Sequence, residues 1–118
     1  MPDDSGTEAK SRLRADLVAA MKLGDKREAG MIRSLIAAID NAEAAPARAE
    51  PASQLHDFRS GSAEVARLTL GRDQVRDIIL REIDEREQAA AEFAGLGDTQ
   101  RAEALQAEAL VAKRYFET

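Results

Sequence analysis

The chain has 118 residues, of which 44% are hydrophobic and only 3% aromatic, with a formal net charge of −5 and no cysteine. These values exclude a disulfide framework, a thiolate metal site and a cysteine nucleophile, and they fit one domain, 1–118, with a modest core and a cytoplasmic location. The charge divides as about −1 over the first helix pair, 0 over the middle and −4 over the second pair, so DNA binding through phosphate neutralisation is not expected.

The opening residues Met1 to Thr7 contain Pro, Asp, Ser and Gly and read as a frayed end. Helical spacing of Leu13, Leu17, Ala20 and Met21 predicts a first helix from Glu8 to Leu23, closed by Gly24. Asp25 is an N-cap, and Glu28 three residues on completes a capping box that satisfies two orphan amides. Ala29, Ile32, Ile36 and Ile39, with Leu35 and Ala38 beside them, form the apolar stripe of a second helix over 26–43. With only Gly24 and Asp25 between them, these helices must fold back as an antiparallel hairpin.

From Ala44 to Gly71 the periodicity stops, and Pro46, Pro51 and the Ser60-Gly61-Ser62 signal read as a long flexible loop. A short helix over 62–68, capped by Ser62, is a further expectation within it. Periodicity returns with Val75, Ile78, Ile79, Ile83, Ala90 and Phe93, which predict a third helix over 72–94, with Asp77–Arg81 and Glu82–Arg86 as acid-first ion pairs. Gly95-Leu96-Gly97 ends it and Asp98 caps a fourth helix over 99–116, with Ala102, Leu105, Ala109, Ala112 and Phe116 inward. The fold class is therefore all-α: four main helices as two antiparallel hairpins joined by a long loop. No apolar run approaches the roughly 18 residues that span a bilayer, so no membrane association is expected.

Chemistry has few candidates. His56 is the single histidine and falls in the loop, so neither a Ser-His-Asp arrangement nor a multi-histidine metal site can be assembled within one chain. Glu82, Asp84, Glu85 and Glu87 are interleaved with Arg81 and Arg86, which reads as an ion-paired solvated face rather than a metal site. No glycine-rich phosphate loop is present, and no cofactor is implied. Arg27, Arg33, Arg72, Arg76, Arg81 and Arg86 could hold phosphates or face solvent, with no aromatic platform evident beside them. Phe116 reads as core, whereas Val111, Tyr115 and Phe116 together could also form a partner or dimer surface.

Two blocks carry a family resemblance. One runs from Leu13-Arg14-Ala15-Asp16-Leu17 through Ala20-Met21-Lys22-Leu23-Gly24-Asp25-Lys26 to Met31-Ile32-Arg33-Ser34-Leu35 and on to Glu43. The other runs from Val75-Arg76-Asp77-Ile78-Ile79 through Arg81-Glu82-Ile83, Arg86, Ala91-Glu92-Phe93 and Arg101-Ala102-Glu103 to Glu108-Ala109. Over about two-thirds of its length the chain thus resembles the YqeY-like proteins, whose domain also forms the tail of the B subunit of the aspartyl/glutamyl-tRNA amidotransferase. The resemblance implies a helical fold and a role in tRNA-dependent amidation, with a family-level label of carbon–nitrogen ligase using glutamine as amido donor. It implies tRNA or an amidotransferase-type protein as partner, and no autonomous catalysis by this chain.

The pattern departs from the family at Gly71, where a Thr or Ser cap is usual, and in the length of the 44–70 segment. It also departs at Thr118, near where family proteins continue into a second small helical domain. The candidate contact residues are Arg27, Arg33, Arg72, Arg76 and Arg86, with Arg33 foremost as a rigid fork for phosphate or carboxylate or, equally, as a clamp between the second and third helices. The alternative is a protein-interaction or homodimerisation module using Val111, Tyr115 and Phe116.

Overall fold

The structure of the protein, a computed structural model, describes residues 4–44 and 68–116. Four helices follow in chain order: α1 (Ser5–Leu23), α2 (Lys26–Glu43), α3 (Arg72–Gly95) and α4 (Thr99–Phe116). The fold is all-α, with α1 packed along α2 and α3 along α4 as two hairpins whose faces meet. The helix expected over 62–68 lies outside the described residues, except for Leu68, which is not helical. None of the described helices is long and apolar enough to cross a membrane.

Both hairpins turn by the same device. Gly24 has φ +73° and Gly97 φ +82°, a left-handed conformation that costs an L side chain but not glycine. At the first turn the Gly24 amide donates to the Met21 carbonyl (3.1 Å) and the Asp25 amide to that of Ala20 (3.0 Å). At the second, Gly97 donates to Ala94 (3.0 Å) and Asp98 to Phe93 (2.9 Å), so two orphan carbonyls are satisfied each time. The aspartate that follows then caps the next helix, Asp25 Oδ1 accepting from the Glu28 amide and Asp98 Oδ1 from the Arg101 amide. The expected reciprocal half of the first capping box is replaced: the Asp25 amide already serves Ala20, and the Glu28 carboxylate accepts from Arg114 of α4 at 2.7 Å.

The core is aliphatic, as so few aromatics require. Leu13 and Ala20 of α1, Ala29, Met31, Ile32, Leu35 and Ile39 of α2, Val75, Ile79 and Ile83 of α3, and Ala109 and Ala112 of α4 are buried together. At the end of α4 Tyr115 is buried and Phe116, half-buried, packs against the core as expected. Tyr115 can go inside because its hydroxyl donates to Asp16 Oδ2 on α1.

The open end of the first hairpin is held by a polar clasp between α1 and α2. The Lys10 ammonium reaches Asp40 Oδ1 at 2.8 Å and Glu43 Oε1 at 2.6 Å, at the end of α2. The chain entering α3 lies against this pair, with the Leu68 amide donating to the Glu43 carbonyl (2.9 Å) and the Gly6 amide to the Leu70 carbonyl (3.2 Å). Burial of Lys10 works against its charge, but its hydrogen bonds to Asp40 and Glu43 and their negative charge outweigh that, and the ammonium is held above its ordinary pKa. Helix α1 starts at Ser5, earlier than its apolar spacing suggests, because Asp4 Oδ1 caps the Thr7 amide (3.1 Å) and Gly6 lets α1 approach closely. A Cβ at Gly6 would stand 2.9 Å from Glu43 Oε2 and 3.3 Å from Leu70 Cβ.

Candidate functional site

Consecutive residues on a helix point about 100° apart, so the last turn of α4 sends Tyr115 toward α1 and Phe116 toward α3. Each ring carries an arginine. The Arg12 guanidinium of α1 lies 4.7 Å from the centre of the Tyr115 ring, and that of Arg76 on α3 lies 4.9 Å from the centre of Phe116. These are cation–π distances, and the rings restrict where the two guanidinium groups can point.

Between them opens a cleft of about 250 Å³, beside the first turns of α1 and α3. Leu13, Val75 and Ile79 lie beneath it, almost wholly buried, and Tyr115 closes one side. Among the described residues, the rim carries Arg12, Arg72 and Arg76 together with the carboxylate of Glu8. Arg72 and Arg76 stand one helical turn apart, a like-charge pair that costs about 0.2–0.5 kcal/mol on an isolated helix. The Gly71 amide that opens this turn donates to Gln74 Oε1 at 2.9 Å, the reciprocal half of a capping box, while Gly71 has no side chain to accept from the first amides of α3.

Tyr115 does not offer this cleft a base at neutral pH. Burial first, and then its hydrogen bond to the Asp16 carboxylate and that group's charge, push the phenol well above its ordinary pKa, with the nearby Arg114 and Arg12 opposing. Its task is structural: one edge seals the core while the face supports Arg12.

The arginines singled out by sequence do not share a surface. Arg72 and Arg76 come together at the cleft. Arg33 lies toward the opposite end of the first hairpin, where it is exposed and its Nη2 stands 3.6 Å from Met21 Sδ of α1. It therefore faces α1, and does not clamp α2 to α3. Arg27 is exposed near the start of α2.

Arg86 is turned inward between α3 and α4, 2.7 Å from Glu82 and 3.5 Å from Glu108, with Glu85 at 3.8 Å. It ties the second hairpin together, and the Glu82–Arg86 pair expected from spacing forms. Lys113 meets Glu87 at 2.9 Å, so much of the acidic stretch of α3 is ion-paired. Among the described residues, no group of three or more carboxylate or histidine side chains is gathered to hold a metal. Val111 and Phe116 pack against the core and Tyr115 is part of it, which leaves little of the expected partner or dimer surface exposed.

Comparison of the chain with protein-family models, with curated proteins and with solved structures finds no match. The site must therefore be read from its own chemistry. Sequence reading missed Arg12, the residue that turns a pair of arginines on α3 into a rim. Its signal was the acid-to-base order Glu8, Arg12, Asp16 along one edge of α1, which points to that edge but not to Tyr115, 99 positions away.

Proposed function

We propose that the chain is a non-catalytic helical module of the GatB/YqeY type that contacts RNA, with tRNA-dependent amidation in the cytoplasm as the setting the family resemblance supplies. The observation that carries this reading is the gathering of Arg12, Arg72 and Arg76 around one cleft in a protein of net charge −5. Like charges repel, so three guanidinium groups on one rim of an acidic chain favour a negatively charged partner there. An RNA backbone is a polyanion that such a rim would attract, and the positive ends of α1 and α3 add to the attraction. The carbon–nitrogen ligase label of the family belongs, in this reading, to chemistry performed by partner subunits, while this chain holds and orients the RNA.

Titration of tRNA against the full chain at two salt concentrations tests the proposal. Neutralisation of three phosphates weakens binding about 20- to 40-fold between about 50 and about 200 mM salt. No measurable binding at the lower salt overturns it.

A further inference from the structure

We propose that the outer face of the first hairpin is a groove in which α3 of a second copy of this chain docks. On α1, Arg14, Val18 and Met21 recur at helical spacing and share one exposed face. On α2, Lys26, Arg33 and Ala37 do the same. Arg33 reaches across to Met21, its Nη2 3.6 Å from Sδ, so the two rows adjoin. Beside the turn they enclose a groove of about 450 Å³, lined by Met21, Gly24, Asp25, Lys26, Ala29 and Arg33.

This face is apolar and basic together. Val18 and Met21 are each about half exposed, and a methionine adapts its shape to whatever packs on it. The carboxylates of the hairpin are engaged elsewhere: Asp25 caps α2, Glu28 holds Arg114, and Asp40 and Glu43 hold Lys10. Among the described residues, Arg14, Lys26 and Arg33 therefore stand without an ion pair. A nucleic-acid phosphate answers the charge but leaves Val18 and Met21 uncovered. A helix that carries acids around an apolar side chain answers both.

The chain itself carries such a helix. Asp73, Asp77, Leu80 and Asp84 recur at helical spacing and form one exposed stripe of α3. Among the described residues none of these three aspartates has an ion pair, and the Asp77–Arg81 pair expected from spacing does not form. Arg76 and Arg81 flank the stripe, and Arg76 is drawn to the Phe116 ring. Lengths agree as well. At the helical rise, Asp73 to Asp84 covers about 16 Å, and Arg14 to the turn at Gly24 covers about 15 Å. With Leu80 seated on Val18 and Met21, the aspartates lie within reach of Arg14, Arg33 and Lys26, and a guanidinium is a fork suited to carboxylate. Groove and stripe are different surfaces on different hairpins, so the contact is head-to-tail: each copy receives one neighbour and docks into another.

Sedimentation of the full chain at about 1 mM tests this, at about 20 and about 200 mM salt. Species larger than the monomer are expected at the lower salt and fewer at the higher, because exposed charges are screened. Arg33→Glu spoils the groove and Asp77→Lys spoils the stripe. Both sites are exposed, and circular dichroism checks that the helices remain. Each variant alone is expected to self-associate at least about tenfold more weakly, since like charges then face each other. Mixed in equal amounts they are expected to regain a dimer and stop there, because the Asp77→Lys chain keeps its groove and the Arg33→Glu chain keeps its stripe.

An original protein that is monomeric at both salts overturns the inference, as do single variants that associate as it does. A mixture that stays monomeric also overturns it and puts any association on another surface. Loss of tRNA binding in Arg33→Glu, with no self-association of the original protein, gives the groove to RNA and again overturns it. The RNA reading of the cleft rests on Arg12, Arg72 and Arg76, and stands or falls separately.

Discussion

Replacing Lys10 with methionine removes the cation from the clasp while keeping the length of the side chain. Glu43 is then left with only 6% of its side chain exposed, and its carboxylate has lost a partner at 2.6 Å. Breaking a fully buried pair costs about 3–5 kcal/mol because the remaining charge is uncompensated. Asp40 is 42% exposed and water can reach that side of the cluster, so the expected cost of Lys10→Met falls to about 2–3 kcal/mol. For a domain near 100 residues that lowers the melting temperature by about 10 °C. Thermal and urea unfolding followed by circular dichroism measure it. Adding Glu43→Gln removes the carboxylate that Lys10 faced, so the double variant should recover more than about 1 kcal/mol relative to the sum of the singles. A cost for Lys10→Met below about 0.5 kcal/mol, the level of an exposed ion pair, or strict additivity in the cycle, would refute the reasoning.

The same clasp makes Gly6→Ala destabilising despite the better helix propensity of alanine, because its Cβ would meet Glu43 Oε2 at 2.9 Å while Lys10 holds that carboxylate in place; unfolding in the Lys10→Met background should show a smaller penalty. Gly24→Ala and Gly97→Ala meet no atom within 4 Å, so each should cost only its left-handed backbone strain, about 1–2 kcal/mol, and nearly the same at both turns. Stability should fall as pH rises above 10. Both Lys10 and Tyr115 have folded pKa values raised above their ordinary 10.5 and 10.0, so their contributions are complete below those values and are lost as pH climbs toward the folded ones. Tyr115→Phe should flatten part of that decline, and at neutral pH should cost about 1–2 kcal/mol through the lost hydrogen bond to Asp16; an unchanged alkaline profile would contradict the assignment.

The fold was readable because its signals are local. Gly24-Asp25 and Gly97-Asp98 state a helix end and the next cap within two residues, and the apolar spacing of α2 and α3 states which side is buried. Errors appear where a distant partner decides. Nothing near Gly6 in the chain announces Glu43 and Leu70, so the start of α1 read as frayed. Tyr115 and Phe116 both pack on the core, and Tyr115 goes deeper because Asp16 satisfies its hydroxyl.

The candidate site was half legible for the same reason. Arg72 and Arg76 share a face by spacing alone, but Arg12 joins them only through the packing of α1 against α3 and α4, and the aromatic supports for Arg12 and Arg76 lie on a third helix. Arg86 shows the converse: its spacing from Glu82 was visible, whereas Glu108 across the hairpin, which holds it within the chain, was not.

The central claim is that the cleft rim neutralises RNA phosphates, and the salt dependence of tRNA binding tests it most directly. In the Arg72→Gln/Arg76→Gln variant, checked for helicity by circular dichroism, the slope of log K against log salt should become shallower by about 1.4–1.8, the loss of two phosphate contacts. Binding that keeps the slope and affinity of the original protein would contradict it.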